Sequence, residues 1–400
     1  MGATETSGSN ERDVGVQWRS PILIAIFAAT LMTPMDVPLI SPVLPEIGAV
    51  FGVSASRAGL FITLYALPGI LLAPFIGALA DRIGRRFVLS GCLVVFGLAG
   101  TAIAFTTDFT VALGLRIIQG FAAGSILSAL AMTVVGDRYD GGQHDSVMGV
   151  TSAMLSLGTA LYPVIGGYLA SYAWNAPFLL YALTVPVAGL VFFTLDDSDS
   201  SSHANDRGYL RDALRKIPTS RAVALYGIMF ASFTLLFGAL YTILPFYLTE
   251  AFRFTATDVG LLTSVVLFVT GITSTQNGRF TMRVSTTTLL MSGFVLYAIG
   301  LLGMALANAL PLLVGAMLVF GIGGGLITPT LFAGVSALAP DHVRAGVMSL
   351  QTTTIGVSQV VGPALFTLVA GLIGHRGTLL GASGVVVIGT ALFGIVAPDP

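Results

Sequence analysis

Charged side chains are scarce in this sequence: Asp, Glu, Lys and Arg make up 9% of its 400 residues. Soluble domains carry about 25%, whereas hydrophobic residues here reach 55% and the mean hydropathy is +0.90. This composition excludes a water-soluble globule and predicts a protein that lives in the lipid bilayer. With a net charge of -1, the chain also lacks the broad basic surface that a nucleic-acid partner requires.

Cysteine and lysine are almost absent. Cys92 is the only cysteine, which excludes an intramolecular disulfide and a cysteine metal cluster. Lys216, the only lysine, follows Arg215, so the chain contains no Gly-Lys-Ser/Thr of a phosphate-binding loop. No G-x-S-x-G or H-E-x-x-H motif occurs, and the four histidines fall in or near predicted loops (His144, His203, His342 and His375). We therefore expect no enzyme activity, no cofactor and no metal site.

Long apolar stretches, in contrast, fill the sequence. A helix that crosses a bilayer needs about 20 predominantly apolar residues, and twelve such stretches can be marked out, separated by short polar or Gly/Pro segments. We predict transmembrane spans at residues 20–44, 56–79, 87–106, 110–136, 144–171, 176–195, 221–248, 257–279, 285–307, 309–337, 343–372 and 377–396.

The positive charges indicate the orientation of these spans, because short cytoplasmic loops retain Lys and Arg. Fourteen of the eighteen fall in the segments that share a side with both termini, and three fall on the opposite side (Arg57, Arg253 and Arg376). We therefore expect a multi-pass protein of the plasma (inner) membrane with both termini in the cytoplasm. The polar first 19 residues contain no apolar signal segment, and we interpret them as a cytoplasmic tail.

A polar segment divides the spans into two sets of six. Residues 196–220 contain the linker-like run DDSDSSS and separate a predicted bundle at 20–195 from a second at 221–397. The two halves match at a shift of about 200 residues; the pairs include Gly77 with Gly278, Arg82 with Arg283 and Gly120 with Gly321. Six spans per half predict two all-α bundles related by a pseudo-twofold axis along the membrane normal, as in transporters that rock about a central site.

The loop after the second span carries a specific motif. Gly77-Ala-Leu-Ala-Asp81-Arg82-Ile-Gly84-Arg85-Arg86 resembles the G-x3-D-R-x-G-R-R signature of the major facilitator superfamily. The resemblance implies that this cluster, with Asp137 as the partner of an arginine, latches the cytoplasmic face. In a simpler interpretation the arginines only set the topology. Met282 stands at the acidic position of the equivalent loop in the second half, which predicts a weaker latch there.

Spans one and four contain ionisable residues. Leu115-Arg116-Ile-Ile-Gln119-Gly120 resembles the R-x2-Q-G signature of the same superfamily, and a buried arginine needs a partner or a wet cavity. Asp36 lies at a comparable depth and is the only acidic residue well inside a span. Its surroundings, Asp36-Val-Pro-Leu-Ile-Ser-Pro-Val-Leu-Pro45, resemble the first-helix motif of drug:proton antiporters. We predict that Asp36 carries the proton beside Arg116; the alternative is a permanent ion pair that only holds two helices together.

Span five carries a pattern of small residues, namely Gly149, Gly158, Pro163, Gly166 and Gly167. These residues resemble the antiporter signature of the exporting branches, with Tyr162 in place of a glycine. Helix packing and bending would explain the same residues without antiport. Tyr162 either fills a groove that glycine leaves open or points its hydroxyl into the cavity.

Polar and aromatic residues suggest which side chains line the cavity. Spans three, six and twelve contain no Asp, Glu, Asn, Gln, Lys or Arg in their interiors, as expected of lipid-facing helices. Phe230 shares the helical spacing of Phe233 and Phe237 on span seven. Each aromatic residue alone could equally be core packing. We predict a large, mostly apolar cavity lined by Tyr65, Gln119, Tyr162, Phe233, Phe237, Tyr241 and Gln359.

These observations favour a secondary active transporter that exchanges protons for lipophilic or cationic drugs by alternating access. Its partners would be a small molecule, protons and the lipid bilayer, and the resemblance implies a working monomer. The same fold also serves sugar or metabolite exporters and proton symporters, and fold alone does not choose among them. A non-transporting membrane sensor is the alternative of another class.

Overall fold

The computed structural model describes residues 16–122, 134–136, 138–139, 141–195, 219–338 and 344–396, and these residues form helices without a strand. The helices of the first half are α1 (Pro21–Met32), α2 (Leu44–Val50), α3 (Ala55–Ile83), α4 (Arg85–Ile103), α5 (Phe109–Phe121), α6 (Gly141–Ala170), α7 (Ala176–Leu179) and α8 (Thr184–Thr194). Those of the second half are α9 (Thr219–Thr234), α10 (Leu244–Phe252), α11 (Ala256–Thr281), α12 (Thr286–Leu306), α13 (Leu310–Ser336) and α14 (Arg344–Val396).

The helices agree with twelve spans arranged as two bundles. Eight of the described helical stretches are long and apolar enough to cross a bilayer, and three shorter apolar ones cover 21–35, 55–71 and 109–121. α14 covers two predicted spans, 343–372 and 377–396. Gly374, with a left-handed φ of 74°, interrupts the helical backbone between them. One hydrophobic core joins residues mainly of the first half, and a second core joins residues of the second half. Residues 196–218, which hold most of the predicted linker, lie outside the described part of the chain, so the domain boundaries stay a prediction.

The first span is not the continuous helix that its hydropathy predicts. α1 ends in a 3₁₀ turn at Thr33–Met35, and a second 3₁₀ turn at Ser41–Val43 leads into α2. Prolines occur at positions 34, 38 and 42 of this span and at position 45 directly after it. Each proline removes a backbone N–H and displaces the carbonyl one turn earlier, so the segment around Asp36 cannot complete an α-helical hydrogen-bond ladder.

The two halves are in contact at the end of the molecule opposite Ser20. The Ser56 hydroxyl of α3 donates to the Thr367 carbonyl of α14 at 3.1 Å. The Thr257 hydroxyl of α11 donates to the Gly167 carbonyl of α6 at 3.0 Å. Further inside, the Ser41 hydroxyl donates to the Tyr241 carbonyl at 2.7 Å. We call this region the closed end; it extends from the loops toward the middle of the spans.

Candidate functional site

A buried arginine organises the polar centre of the first half. Arg116 is fully buried, and its Nε donates to the carbonyl oxygen of Phe61 at 3.0 Å. Its guanidinium also donates to Gln119 Oε1 at 2.7 Å and to the main-chain carbonyl of Asp36 at 3.1 Å. The guanidinium carbon lies 4.8 Å from the centroid of the Tyr65 ring. These contacts supply the partners that make a cation tolerable inside a membrane span.

The unwound segment of the first span explains why Arg116 is needed there. The Tyr181 hydroxyl donates to the Met35 carbonyl at 2.6 Å, one residue before the carbonyl that Arg116 caps. Backbone groups freed from a helix inside a bilayer must find partners within the protein. Tyr181 and Arg116 therefore hold the broken backbone of span one in place, and with it the side chain of Asp36.

The Asp36 carboxylate faces the second half of the chain. Its Oδ2 accepts a hydrogen bond from the Gln359 side-chain amide at 3.4 Å, and both residues are partly buried. Among the described contacts, Arg116 binds the main chain of Asp36 rather than its carboxylate. The carboxylate is thus held at the junction of the two bundles, on a residue that is itself only partly buried.

Aromatic rings of the second half extend from this junction. Phe233 stacks on Phe237 and on Phe332, with centroids 6.3 Å apart in both pairs. Phe237 lies 6.0 Å from the Tyr241 ring. Phe233, Phe237 and Phe332 are half-buried. This aromatic row offers a flat apolar wall of the kind that binds drug-sized molecules, whose orientation a few polar groups then fix.

Other residues predicted for the cavity lie inside the first bundle. Tyr65 is almost fully buried against Phe96 and Arg116, and the Gln119 amide nitrogen donates to the Phe96 carbonyl. The Tyr162 hydroxyl donates to the Leu31 carbonyl of α1 at 2.9 Å. Of the two orientations considered for Tyr162, the buried side chain takes the one that fills the groove between the helices. Its hydroxyl ties α6 to α1 and does not point into the cavity.

Removal of the Tyr181 hydroxyl tests its structural role. Tyr181→Phe leaves the Met35 carbonyl without its donor, and a buried group without a partner costs about 1–3 kcal/mol. We expect the apparent Tm in detergent to fall by roughly 2 to 4 °C. Tyr168→Phe is the matched control, because the Tyr168 hydroxyl contacts only the exposed Tyr172 hydroxyl. Equal melting of both variants would contradict the role assigned to Tyr181.

The glycines of span five pack against neighbouring backbones. A Cβ at Gly166 would overlap the carbonyl oxygen of Leu39, and one at Gly167 would overlap that of Ala256 in the other half. Gly158 approaches Pro34 to 2.7 Å, measured from the position a Cβ would take, whereas Gly149 meets nothing within 4 Å. Three members of the motif therefore serve close packing, and one of them lies in the contact between the halves.

Comparisons with known proteins agree with this architecture. The sequence profile of the Major Facilitator Superfamily matches residues 26–255 and 226–400. The chain belongs to the major facilitator superfamily. It is 23% identical over 354 residues to Multidrug resistance protein 2 of Bacillus subtilis, covering 86% of this chain and 87% of that one. It is 26% identical over 355 residues to the class B tetracycline resistance protein of Escherichia coli, with coverage of 85% and 86%.

A solved structure supports the fold of this superfamily member. The crystal structure of a bacterial homolog of the human lysosomal transporter Spinster has a TM-score of 0.79 to this chain. The two sequences are 16% identical, and the match covers 95% of this chain and 97% of the other. Membership and fold establish a multi-pass transporter of small molecules.

The superfamily loop motif is visible in part. Gly84 has a left-handed φ of 98° and separates α3 from α4, which begins at Arg85. This glycine makes the tight turn that the motif requires, because other residues are strained at such a φ. Arg82 is exposed, and Arg86 lies over the Phe192 ring at 4.1 Å. Asp137 and the side chain of Asp81 lie outside the described residues. The latch therefore stays a prediction, and so does the close helix approach expected at Gly77.

Tyr181 is the site residue that the sequence analysis missed. It lies in span six, which was expected to face lipid because it has no charged or amide side chain. A phenolic hydroxyl donates as well as an amide does, so counting tyrosines as polar would have found it. Tyr181 and Arg116 cap the carbonyls of Met35 and Asp36. In the sequence, only the prolines around Asp36 indicate that these carbonyls need a partner.

Proposed function

We propose that this transporter is a proton-coupled antiporter that exports lipophilic, cationic compounds by alternating access. The observation that carries the proposal is the Asp36 carboxylate, which lies at the junction of the bundles on a partly buried residue and accepts a hydrogen bond from Gln359 of the opposite half. A carboxylate in this position can bind either a proton or the positive charge of a substrate, and the two then compete for it. Such competition links the movement of one to the opposite movement of the other.

The wall beside Asp36 favours the proposed substrate class. Stacked, half-buried phenylalanines attract flat apolar bodies and cations over their ring faces, and Phe233, Phe237 and Phe332 present such faces. A sugar would instead require several hydrogen-bonding side chains around its hydroxyls. The names of the relatives, which denote multidrug and tetracycline resistance, support export of drugs.

The direction and setting of transport belong to the same proposal. The excess of positive residues on the side of the termini supports a cytoplasmic location for both, in the plasma membrane. The closed end, opposite Ser20, would then face the outside, and the substrate would enter from the cytoplasm. We propose that the protein works as a monomer, with each bundle moving as one unit about the junction at Asp36.

Transport by the wild-type protein tests the proposed substrate class. The assay measures the internal pH of proteoliposomes with an imposed pH gradient. We expect lipophilic cations such as tetraphenylphosphonium to cause proton movement, seen as a change of that pH. Glucose and xylose should give no signal under the same gradient. Proton movement with the sugars alone would contradict the assignment and favour a sugar transporter on this fold.

A further inference from the structure

Span seven is not α-helical throughout. A π-helix at Leu235–Ile243 separates α9 from α10. Its hydrogen bonds join residues five apart, as the bond from the Leu244 amide to the Ala239 carbonyl shows. The Thr242 side chain follows the same spacing, because its hydroxyl donates to the Phe237 carbonyl at 2.7 Å. Helical segments of this kind are rare and occur often at functional sites.

A proline explains where this π-helix ends. In an α-helix the amide of residue 245 would donate to the Tyr241 carbonyl, but residue 245 is a proline, which has no N–H. The proline ring also displaces the carbonyl four residues earlier, which is that of Tyr241. Because Tyr241 is buried inside a membrane span, its carbonyl needs a donor from elsewhere in the protein.

That donor comes from the other bundle. Ser41 is fully buried, and its hydroxyl donates to the Tyr241 carbonyl at 2.7 Å. The two residues are 200 positions apart, which is the shift that relates the two halves of the sequence. Residues at equivalent positions touch only near the pseudo-twofold axis, because that axis maps one onto the other. The bond therefore lies close to the axis, and it joins the broken first span to the π-helix of the seventh.

The equivalent proline of the first half has a different effect. Pro45 corresponds to Pro245 and removes the α-helical donor of the Ser41 carbonyl. There the Leu44 amide bonds this carbonyl within a 3₁₀ turn, so the first half satisfies it locally. The freed carbonyl of the second half instead accepts a bond that crosses between the bundles.

The π-helix also sets the alignment of the aromatic row. Phe233 belongs to α9, before the π-helix, whereas Phe237 and Tyr241 belong to the π-helix itself. Because each π-helical bond spans five residues instead of four, conversion of the segment to an α-helix would rotate the later rings relative to the earlier one. The ring contacts of Phe237 with Phe233 and with Tyr241, at 6.3 and 6.0 Å between centroids, therefore depend on the present backbone.

We propose that Ser41 is a positioning residue of the transport site, which holds the π-helix and the aromatic row from the opposite bundle while the closed end is closed. This role rests on the proposed function, in which the row binds lipophilic cations. Opening of the closed end separates the two halves and breaks the bond. The π-helix then loses its partner, the row loses its alignment, and the compound is bound less tightly on the side to which it is released.

Hydrogen exchange of the purified wild type and of Ser41→Ala tests the support of the π-helix. Without the hydroxyl, we expect the amides of Leu235–Ile243 to exchange about five-fold faster, the ratio that corresponds to one hydrogen bond. Ser56→Ala is the matched control, because the Ser56 hydroxyl also joins the halves at the closed end but donates to the Thr367 carbonyl of α14. It should leave exchange of the π-helix at the wild-type rate. Equal exchange of this segment in all three proteins would overturn the proposal.

Binding of tetraphenylphosphonium at a fixed pH tests the link to the site. We expect Ser41→Ala to bind this cation about five-fold more weakly, with the number of protons released per bound cation unchanged. Ser56→Ala should bind it like the wild type. Unchanged affinity in Ser41→Ala would refute the positioning role. A wild type that binds no cation would contradict the proposed function, and hydrogen exchange would still decide whether Ser41 supports the π-helix.

A second variant separates positioning from simple attachment of the bundles. Pro245→Ala restores an amide that can donate to the Tyr241 carbonyl, so the Ser41 hydroxyl is no longer needed there. In the Pro245→Ala background, Ser41→Ala should change neither the exchange of the π-helix nor the cation affinity any further. Equal effects of Ser41→Ala in both backgrounds would show that the bond only holds the bundles together, and the proposal would be wrong.

Discussion

Asp36→Asn is expected to abolish the exchange of protons for substrate, while substrate binding becomes weaker but persists on the aromatic row. The amide keeps the size and hydrogen-bonding capacity of the carboxylate toward Gln359, but it neither binds nor releases a proton near neutral pH. Because Arg116 and Tyr181 hold this segment through main-chain carbonyls of Asp36 and Met35, the variant should fold normally. In proteoliposomes we expect uphill efflux of a lipophilic cation to fall at least about 100-fold.

The control for this prediction is an aspartate far from the junction. Asp145→Asn makes the same chemical change where the side chain is 86% exposed and contacts His144. It should transport like the wild type. If Asp36→Asn retained coupled efflux at the control level, Asp36 would have a structural role, and the proton carrier would lie elsewhere.

Gly260→Ala is expected to disrupt the closed end. A Cβ at Gly260 of α11 would overlap the carbonyl oxygen of Pro163 in α6 and lie 3.4 Å from Gly167 Cα. The Val164 amide, which donates to Ser264 Oγ at 3.1 Å, would have to move away as well. Because the obstruction is backbone, it cannot be relieved by a side-chain rotation, and overpacking of this kind costs about 1–3 kcal/mol. The arrangement with this end closed is destabilised by that amount.

The expected result is a transporter biased toward opening at this end. At 1.4 kcal/mol per factor of ten, transport should fall roughly ten-fold. Spin labels at Ser171→Cys and Ala251→Cys, in a Cys92→Ala background, should report longer distances in the variant. Gly271→Ala on the same helix is the matched control, because a Cβ there meets nothing within 4 Å. If Gly260→Ala showed the distances and the transport of the wild type, the contact between Gly260 and Pro163 would not hold the closed end together.

Part of the site could be predicted from the sequence because its signals are local. A lone acid and a lone arginine at comparable depths have to find partners, and the structure brings Asp36 and Arg116 together. Depth alone suggests an ion pair between the two side chains. In the structure the Arg116 guanidinium instead donates to the main-chain carbonyl of Asp36. That outcome depends on prolines that break span one, and hydropathy does not register a broken backbone.

The rest of the site depends on contacts between distant segments. Phe230 lies in α9 with Phe233 but lines a separate cavity inside the second bundle, because residues three apart are offset by about 60° around an α-helix. Pro163 and Gly260 lie about 100 residues apart in sequence, and only the packing of α6 on α11 shows that they meet. The glycine pattern of span five predicts a close approach without indicating the partner.

The most direct test of the account measures protons at the binding step itself. In unbuffered detergent solution, a lipophilic cation is added to the purified protein, and the protons released are counted against the cation bound. The account predicts that the wild type releases protons as the cation binds and that Asp36→Asn, which binds the cation more weakly, releases none with the cation that it still binds. Equal proton release by both proteins, or cation binding by the wild type with no release, would contradict competition between proton and substrate at Asp36.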